Sequence, residues 1–262
     1  MDQFFIDASN VKEDRITVTG PDVNHMTNVL RLRCGETVQL VDRSSGLTYI
    51  CKIDEITSAG VICVIDDVQS ESRELPVEIT LYQGLPKSDK LEFVIQKAVE
   101  MGAARIVPVA MKRSVVKLTA EKADKKLARW NSIAASAASQ SKRGMIPEVS
   151  SPMSYEDAVR DASACDAILL PYELAAASAG GESADGGHLS DMDQTRRILE
   201  DLKARGVRSI GIFIGPEGGF DVSEVDRAVE AGAHIITLGN RILRTETAPI
   251  AILAWLTYIF EV

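Results

Sequence analysis

Histidine and cysteine are scarce in this chain. Its 262 residues include three histidines (His25, His188, His234) and four cysteines at 34, 51, 63 and 165. No Cys-x-x-Cys pair occurs, so a zinc cluster is not expected and the site should need no metal. The cysteines have apolar neighbours, as in Val61-Ile62-Cys63-Val64, and read as buried free thiols of a reducing compartment. A signal peptide is missing too: Met1-Asp2-Gln3-Phe4-Phe5 has no basic start and no apolar core behind it. The longest apolar run, residues 248–260, is too short to span a bilayer and reads as a buried helix. A cytoplasmic protein is expected. An excess of positive charge is also lacking. The net charge is −9, which argues against a protein that coats nucleic acid non-specifically. Any contact with RNA must come from local basic patches.

What is present divides into two patterns. The first seventy residues carry short β-branched runs at 15–19, 37–41, 47–53 and 61–65. Arg43-Ser44-Ser45-Gly46 and Thr57-Ser58-Ala59-Gly60 interrupt them as turns. One helix is expected over 22–32. Strands at this spacing fit a small barrel or a sandwich. The polar stretch Ser70-Glu71-Ser72-Arg73-Glu74, followed by Pro76, marks a boundary. This gives domains 1–72 and 73–262.

From Val77 onward strands and helices alternate. Strands are expected at 79–84, 106–109, 167–170, 209–214 and 235–238. Helices are expected at 88–101 (capped by Ser88), 120–141, 191–204, 222–230 and 249–260. Such alternation predicts an α/β domain with a largely parallel sheet. Residues 175–187 (AAASAGGESADGG) read as a surface insertion without catalytic role, and His188 at its edge as solvated.

Two loops carry the chemistry. Ile214-Gly215-Pro216-Glu217-Gly218-Gly219-Phe220 leaves an apolar strand and enters a helix that Asp221 or Ser223 can cap. Leu238-Gly239-Asn240-Arg241-Ile242-Leu243-Arg244-Thr245-Glu246-Thr247-Ala248-Pro249 does the same, with Pro249 suited to a first helical turn and Thr247 to its cap. Glycines allow close backbone approach to a ligand, and parallel sheets bind ligands at the carboxyl ends of their strands. A tight turn without ligand explains one such loop as well, but not two. The dinucleotide, P-loop and nucleophile-elbow motifs are absent, so hydride transfer, NTP hydrolysis and ester hydrolysis lose ground.

Together these loops resemble the cofactor motifs of the 16S rRNA uracil-N3-methyltransferases, the small subunit methyltransferase E family of the knotted SPOUT class. The resemblance extends to His25-x-x-x-Val29-Leu30-Arg31-x-Arg33-x-Gly35, to Gln83-Gly84-Leu85-Pro86-Lys87-x-Asp89-Lys90 and to Lys97-x-x-Glu100-x-Gly102. It implies a PUA-like RNA-binding β-barrel followed by an α/β domain with a trefoil knot. It further implies S-adenosylmethionine as cofactor, a homodimer packed through the knotted region, and the small ribosomal subunit as partner. Carried over by position, the cofactor pocket uses Leu170, Pro171, Glu173, Gly215, Glu217, Leu238, Gly239, Ile242, Leu243 and Arg244. Candidates for RNA are Arg31, Arg33, Lys87, Lys90, Arg113 and Arg143. Arg244 is expected to stabilise a uracil anion, and Glu217 or Glu246 to act as general base if burial raises its pKa. Ser139-Gln140 stands where the family commonly has Glu-Gln. Two rivals are a SPOUT enzyme for another RNA nucleotide and a non-catalytic ribosome-assembly factor.

Overall fold

The β-branched runs of the first seventy residues do form strands, and two further strands join them. The computed structural model describes residues 1–57, 59–116, 120–172 and 191–261. Glu173, the 175–187 segment and His188 lie outside the described residues. Strands β1 (Gln3–Ile6), β2 (Val11–Lys12), β3 (Arg15–Val18), β4 (Thr37–Asp42), β5 (Thr48–Ile56) and β6 (Val61–Gln69) make one sheet in the order β1-β4-β5-β6-β3-β2. Only β1 and β4 run parallel; the other neighbours are antiparallel. Burial alternates along β3, with Ile16 and Val18 inward, as a sheet with one wet face requires.

Phe4, Ile16, Val38, Leu40 and Ile53 pack there with Cys51 and Cys63. Burial pushes the Cys51 thiol up to about 12 and the Cys63 thiol up to about 11, so both stay protonated and inert. Cys34 departs from the expectation of buried thiols and is exposed. The expected helix over 22–32 is shorter. α1 (Pro21–Asn24) passes into a π-helical turn at His25–Val29, and Arg31 takes φ 58°. The widened turn closes with Leu30 N–H on the His25 carbonyl and Leu32 N–H on that of Met26. Met26 is fully buried, while Val29, Leu30, Arg31 and Arg33 face solvent.

The chain divides into two units, and the cut is not a single point. The first comprises Met1–Glu74 with Ala135–Ile146; the second comprises Leu75–Ala134 with Pro147–Val262. Within the first unit the later segment is tied down by polar contacts. Ser139 Oγ donates to the Gln3 carbonyl at 3.0 Å, and Gln3 Nε2 donates to the Arg143 carbonyl at 2.7 Å. The Arg143 guanidinium engages Glu74, whose other carboxylate oxygen accepts Gly144 N–H at 2.9 Å. Ser139, the departure from the family pattern, thus serves as a short hydroxyl donor to β1.

In the second unit β7 (Glu78–Gly84), α2 (Lys90–Glu100) and β8 (Arg105–Ala110) come first, followed by α3 (Ala120–Gln140), whose residues from Ala135 onward belong to the first unit. Next are β9 (Glu148–Val149), β10 (Met153–Ser154), α4 (Tyr155–Ala162) and β11 (Ala167–Pro171). Last come α5 (Asp191–Ala204), β12 (Ser209–Ile214), α6 (Val222–Glu230), β13 (His234–Ile236) and α7 (Ala248–Glu261). The described strands order as β10-β8-β7-β12-β11-β13, with β9 also on β8, and every pair is parallel. Ser88 does not cap α2: it takes φ 56°, and the helix begins two residues later. The sheet core stacks Tyr82 on Phe213, centroids 4.6 Å apart. The Tyr82 hydroxyl donates to Asp161 at 2.6 Å, and burial together with that bond pushes the phenol well up. No described helix is long and apolar enough to cross a membrane.

Candidate functional site

The parallel arrangement brings the carboxyl ends of β11, β12 and β13 to one edge, where their loops can share a ligand. They line a cavity of about 490 Å³. Pro171 ends β11 and Tyr172 follows it; Ile214 ends β12 and Gly215 to Phe220 follow it; Thr237 to Thr245, without Asn240, follow β13. Lys90, Arg113 and Ala248 complete the wall. The apolar members suit a flat ring, and the glycines expose backbone to it.

The glycine loop is built by local rules. Gly219 N–H donates to the Pro216 carbonyl at 2.8 Å, and Gly219 takes φ 68°. Asp221, rather than Ser223, caps α6, accepting Ser223 N–H, while Glu224 returns to Asp221 N–H at 2.9 Å in a capping box. Glu224 is buried because its other oxygen accepts Lys112 N–H at 2.8 Å. Arg113, next to Lys112 after β8, donates to the Gly218 carbonyl at 3.1 Å.

The second loop is pinned at both ends. Thr195 Oγ on α5 accepts Thr237 N–H at 3.0 Å. Near the other end the Arg244 carbonyl accepts the N–H groups of Thr247 and Ala248, opening α7 with Pro249 in its first turn. Thr245 Oγ donates to the Gly215 carbonyl at 2.7 Å and so joins the two loops directly.

Gly84, at the end of β7, permits this closeness. A Cβ there would lie 2.7 Å from Pro216 and 2.9 Å from Met111 Sδ. Gly84→Ala is therefore expected to destabilise the protein by about 1–3 kcal/mol through overpacking. Denaturant titration checks this; an unchanged midpoint would contradict the close approach.

Of the residues expected at the cofactor, Pro171, Gly215, Glu217, Leu238, Gly239, Ile242, Leu243 and Arg244 line the cavity. Leu170 does not: its side chain is 0% exposed and packs in the sheet core with Tyr82 and Phe213. β11 is buried on both faces, so its central leucines fill the core. Tyr172, Phe220 and Thr245 are wall residues that sequence reasoning missed, although each adjoins a motif residue it selected.

The residues expected at RNA scatter. Arg31, Arg33 and Lys87 are exposed. Lys90 and Arg113 stand in the pocket wall. Arg143 is 5% exposed and paired with Glu74 within the first unit.

Glu217 departs from the condition set for a general base. Burial opposes its ionisation, but the N–H groups of Glu217 itself and Lys87, and the Lys90 ammonium, hold the carboxyl below its usual range. Glu246 is not a wall residue of the cavity; Lys90 Nζ lies 3.3 Å from its Oε2.

The RNA methyltransferase domain family matches residues 73–257, and the RNA methyltransferase PUA domain family matches residues 18–66. The ribosomal RNA small subunit methyltransferase E of Bacillus subtilis (strain 168) is 34% identical over 98% of this chain and 96% of its own. That of Synechocystis sp. is 28% identical over 95% of this chain and 75% of its own. The Neisseria gonorrhoeae enzyme of that name, in a crystal structure bound to S-adenosyl methionine, superposes with TM-score 0.77 at 30% identity, covering 99% of this chain and 98% of its own. The two loops, the cavity they share and these likenesses over the whole chain place the protein in the ribosomal RNA small subunit methyltransferase E family.

Proposed function

We propose that this protein transfers a methyl group from S-adenosylmethionine to N3 of a specific uridine in the 16S RNA of the small ribosomal subunit. The observation that carries the reading is the convergence of both motif loops on one cavity, in a chain of this family. The residues fit the cofactor. Leu238, Ile242, Leu243 and Phe220 offer apolar faces for the adenine ring, and the backbone of Gly215 and Gly239 offers polar groups at the rim. Glu217 supplies negative charge for a cationic ligand. Bound there, S-adenosylmethionine supplies an electrophilic methyl group on its sulfonium.

The chain's part is to orient the acceptor and to stabilise charge. N3 of uracil must lose its proton before it attacks, which leaves negative charge shared with the ring oxygens. Arg244, exposed in the pocket wall, is assigned to that charge. Glu217, held ionised by Lys87 and Lys90, is assigned to fixing its loop and receiving the cofactor, and the N3 proton leaves to solvent. Residues 1–72 are assigned to RNA binding, through Arg31 and Arg33, and residues 73–262 to catalysis. The trefoil knot and the cytoplasmic setting belong to the same reading.

So does the homodimer. α7 is apolar all round, and Tyr258 on it is 72% exposed; pairing of two copies through this helix would cover it.

A pH dependence follows. A carboxyl held low contributes its interactions fully above its usual value of 4.5, and loses them as pH falls through its lower value. Cofactor affinity should therefore stay level from pH 7 to about 5 and decline only below 4.5. Calorimetric titration at a series of pH values checks this, with Glu217→Gln flattening the decline. Label from S-adenosylmethionine should enter 16S RNA when the protein meets small subunits lacking the modification. If no label transfers, the enzymatic reading is wrong.

A further inference from the structure

The segment from Gln83 to Lys90 carries two lysines that a sequence reading gives to RNA. Its contacts point elsewhere. Gln83, fully buried, donates from Nε2 to Thr245 Oγ at 3.0 Å, and Thr245 passes the bond on to the Gly215 carbonyl. Gly84 packs against Pro216. Lys87 N–H donates to both Glu217 oxygens, at 3.1 and 3.3 Å. Lys90 Nζ, at the first turn of α2, lies 3.1 Å from Glu217 and 3.3 Å from Glu246. The Glu246 oxygen it reaches is closed off from solvent. Four residues of one strand-to-helix turn, Gln83, Gly84, Lys87 and Lys90, are therefore tied to both motif loops.

The turn is itself preset. Ser88 holds a left-handed conformation, φ 56°, which directs Lys87 N–H and the Lys90 side chain to the same carboxylate. A side chain held between two carboxylates is a poor phosphate ligand, because leaving them strands two negative charges. The same ammonium is well suited to fix two loops at one separation, since each loop supplies one of the carboxylates.

We infer that Lys90, with Gln83 behind it, is a positioning residue of the cofactor site: it sets the spacing of the glycine loop and the 237–247 loop, and it is not a contact to RNA. This rests on the proposed cofactor reading. Lys90 touches the carboxylates rather than the reacting atoms, so its loss should act mainly on cofactor affinity. Its effect on the affinity for the ribosomal particle should be small.

The test uses the full chain with Lys90→Met, Lys90→Arg and Lys90→Met in a Glu217→Gln background. S-adenosylmethionine binding is titrated by calorimetry, and small-subunit binding is measured against salt concentration. Lys90→Met should weaken cofactor binding about threefold to tenfold, as expected for loss of a partly exposed two-carboxylate bridge that also positions loops. Lys90→Arg should recover most of it. In the Glu217→Gln background the further loss should be smaller, because half of the bridge is already gone. The salt slope of subunit binding should be unchanged, whereas loss of a phosphate contact would lower it by about one.

Cofactor affinity equal to wild type, or a shallower salt slope, overturns the inference and returns Lys90 to RNA. Wild-type protein that fails to bind S-adenosylmethionine contradicts the proposed function itself. Lys90→Gln, which is one atom shorter but keeps a polar, uncharged end at a first helical turn, repeats the test should the methionine variant not fold.

Discussion

Arg244→Ala is expected to lower the methylation turnover by roughly 100- to 1000-fold, the range for removing one donor aimed at developing negative charge. Deprotonating N3 of uracil creates an anion whose charge rests on ring oxygens, in a cavity where apolar walls strengthen electrostatic interactions. Arg244 is the basic residue of the 237–247 loop placed nearest the start of α7, with its carbonyl fixed by Thr247 and Ala248. Its side chain stands in the wall with that of Glu217; in the proposed reaction Glu217 would receive the cofactor and Arg244 the substrate's charge. Cofactor affinity should change far less than turnover, and Arg244→Lys should restore only part of the loss, since an ammonium lacks the planar fork of donors. Single-turnover methylation with saturating cofactor separates the effects. Turnover within threefold of wild type would remove Arg244 from the chemistry.

Arg143→Ala is expected to destabilise the protein by about 3 kcal/mol, the low end for removing one partner of a buried ion pair. Arg143 is 5% exposed, its Nε donates to Glu74 at 3.0 Å, and its carbonyl accepts Gln3 Nε2 at 2.7 Å. The change leaves the Glu74 carboxylate with Gly144 N–H as its remaining described partner. The main-chain bond to Gln3 survives the substitution, so the loss is confined to the tie between residues 135–146 and Glu74. Equilibrium unfolding in urea measures the loss, and Arg143→Lys should recover part of it. Unchanged stability with weakened subunit binding would return Arg143 to the RNA-facing role that its position in the sequence suggests.

The folded contacts of two cations illustrate what a sequence conceals. α5, β12 and α6 match their expected bounds because strand alternation, caps and glycine stops are local signals. The cavity was legible for the same reason: both loops interrupt apolar strands with glycine and enter helices. By contrast, β1, β9 and β10 span two to four residues and exist only because β4 and β8 lie beside them. Pairing partners far away in sequence leave no local period to read. The ion pairs of Lys90 and Arg143 are hidden in the same way. A lysine in a row of residues looks solvated until Glu217 and Glu246, far along the chain, are folded against it. The Gln83–Thr245 bond spans 162 positions, and nothing near Gln83 announces it. Ser88 was misread for a nearer reason. Its capping propensity is outweighed by the left-handed turn that lets Lys87 and Lys90 meet one carboxylate.

The central claim is that this cavity delivers a methyl group to N3 of uridine. The most direct measurement is the identity of the modified nucleoside. Small ribosomal subunits lacking the modification are incubated with the protein and isotopically labelled S-adenosylmethionine, their 16S RNA is digested, and the nucleosides are resolved by mass spectrometry. The account predicts labelled 3-methyluridine as the product, dependent on Arg244. Label on a ribose or on another base would contradict it.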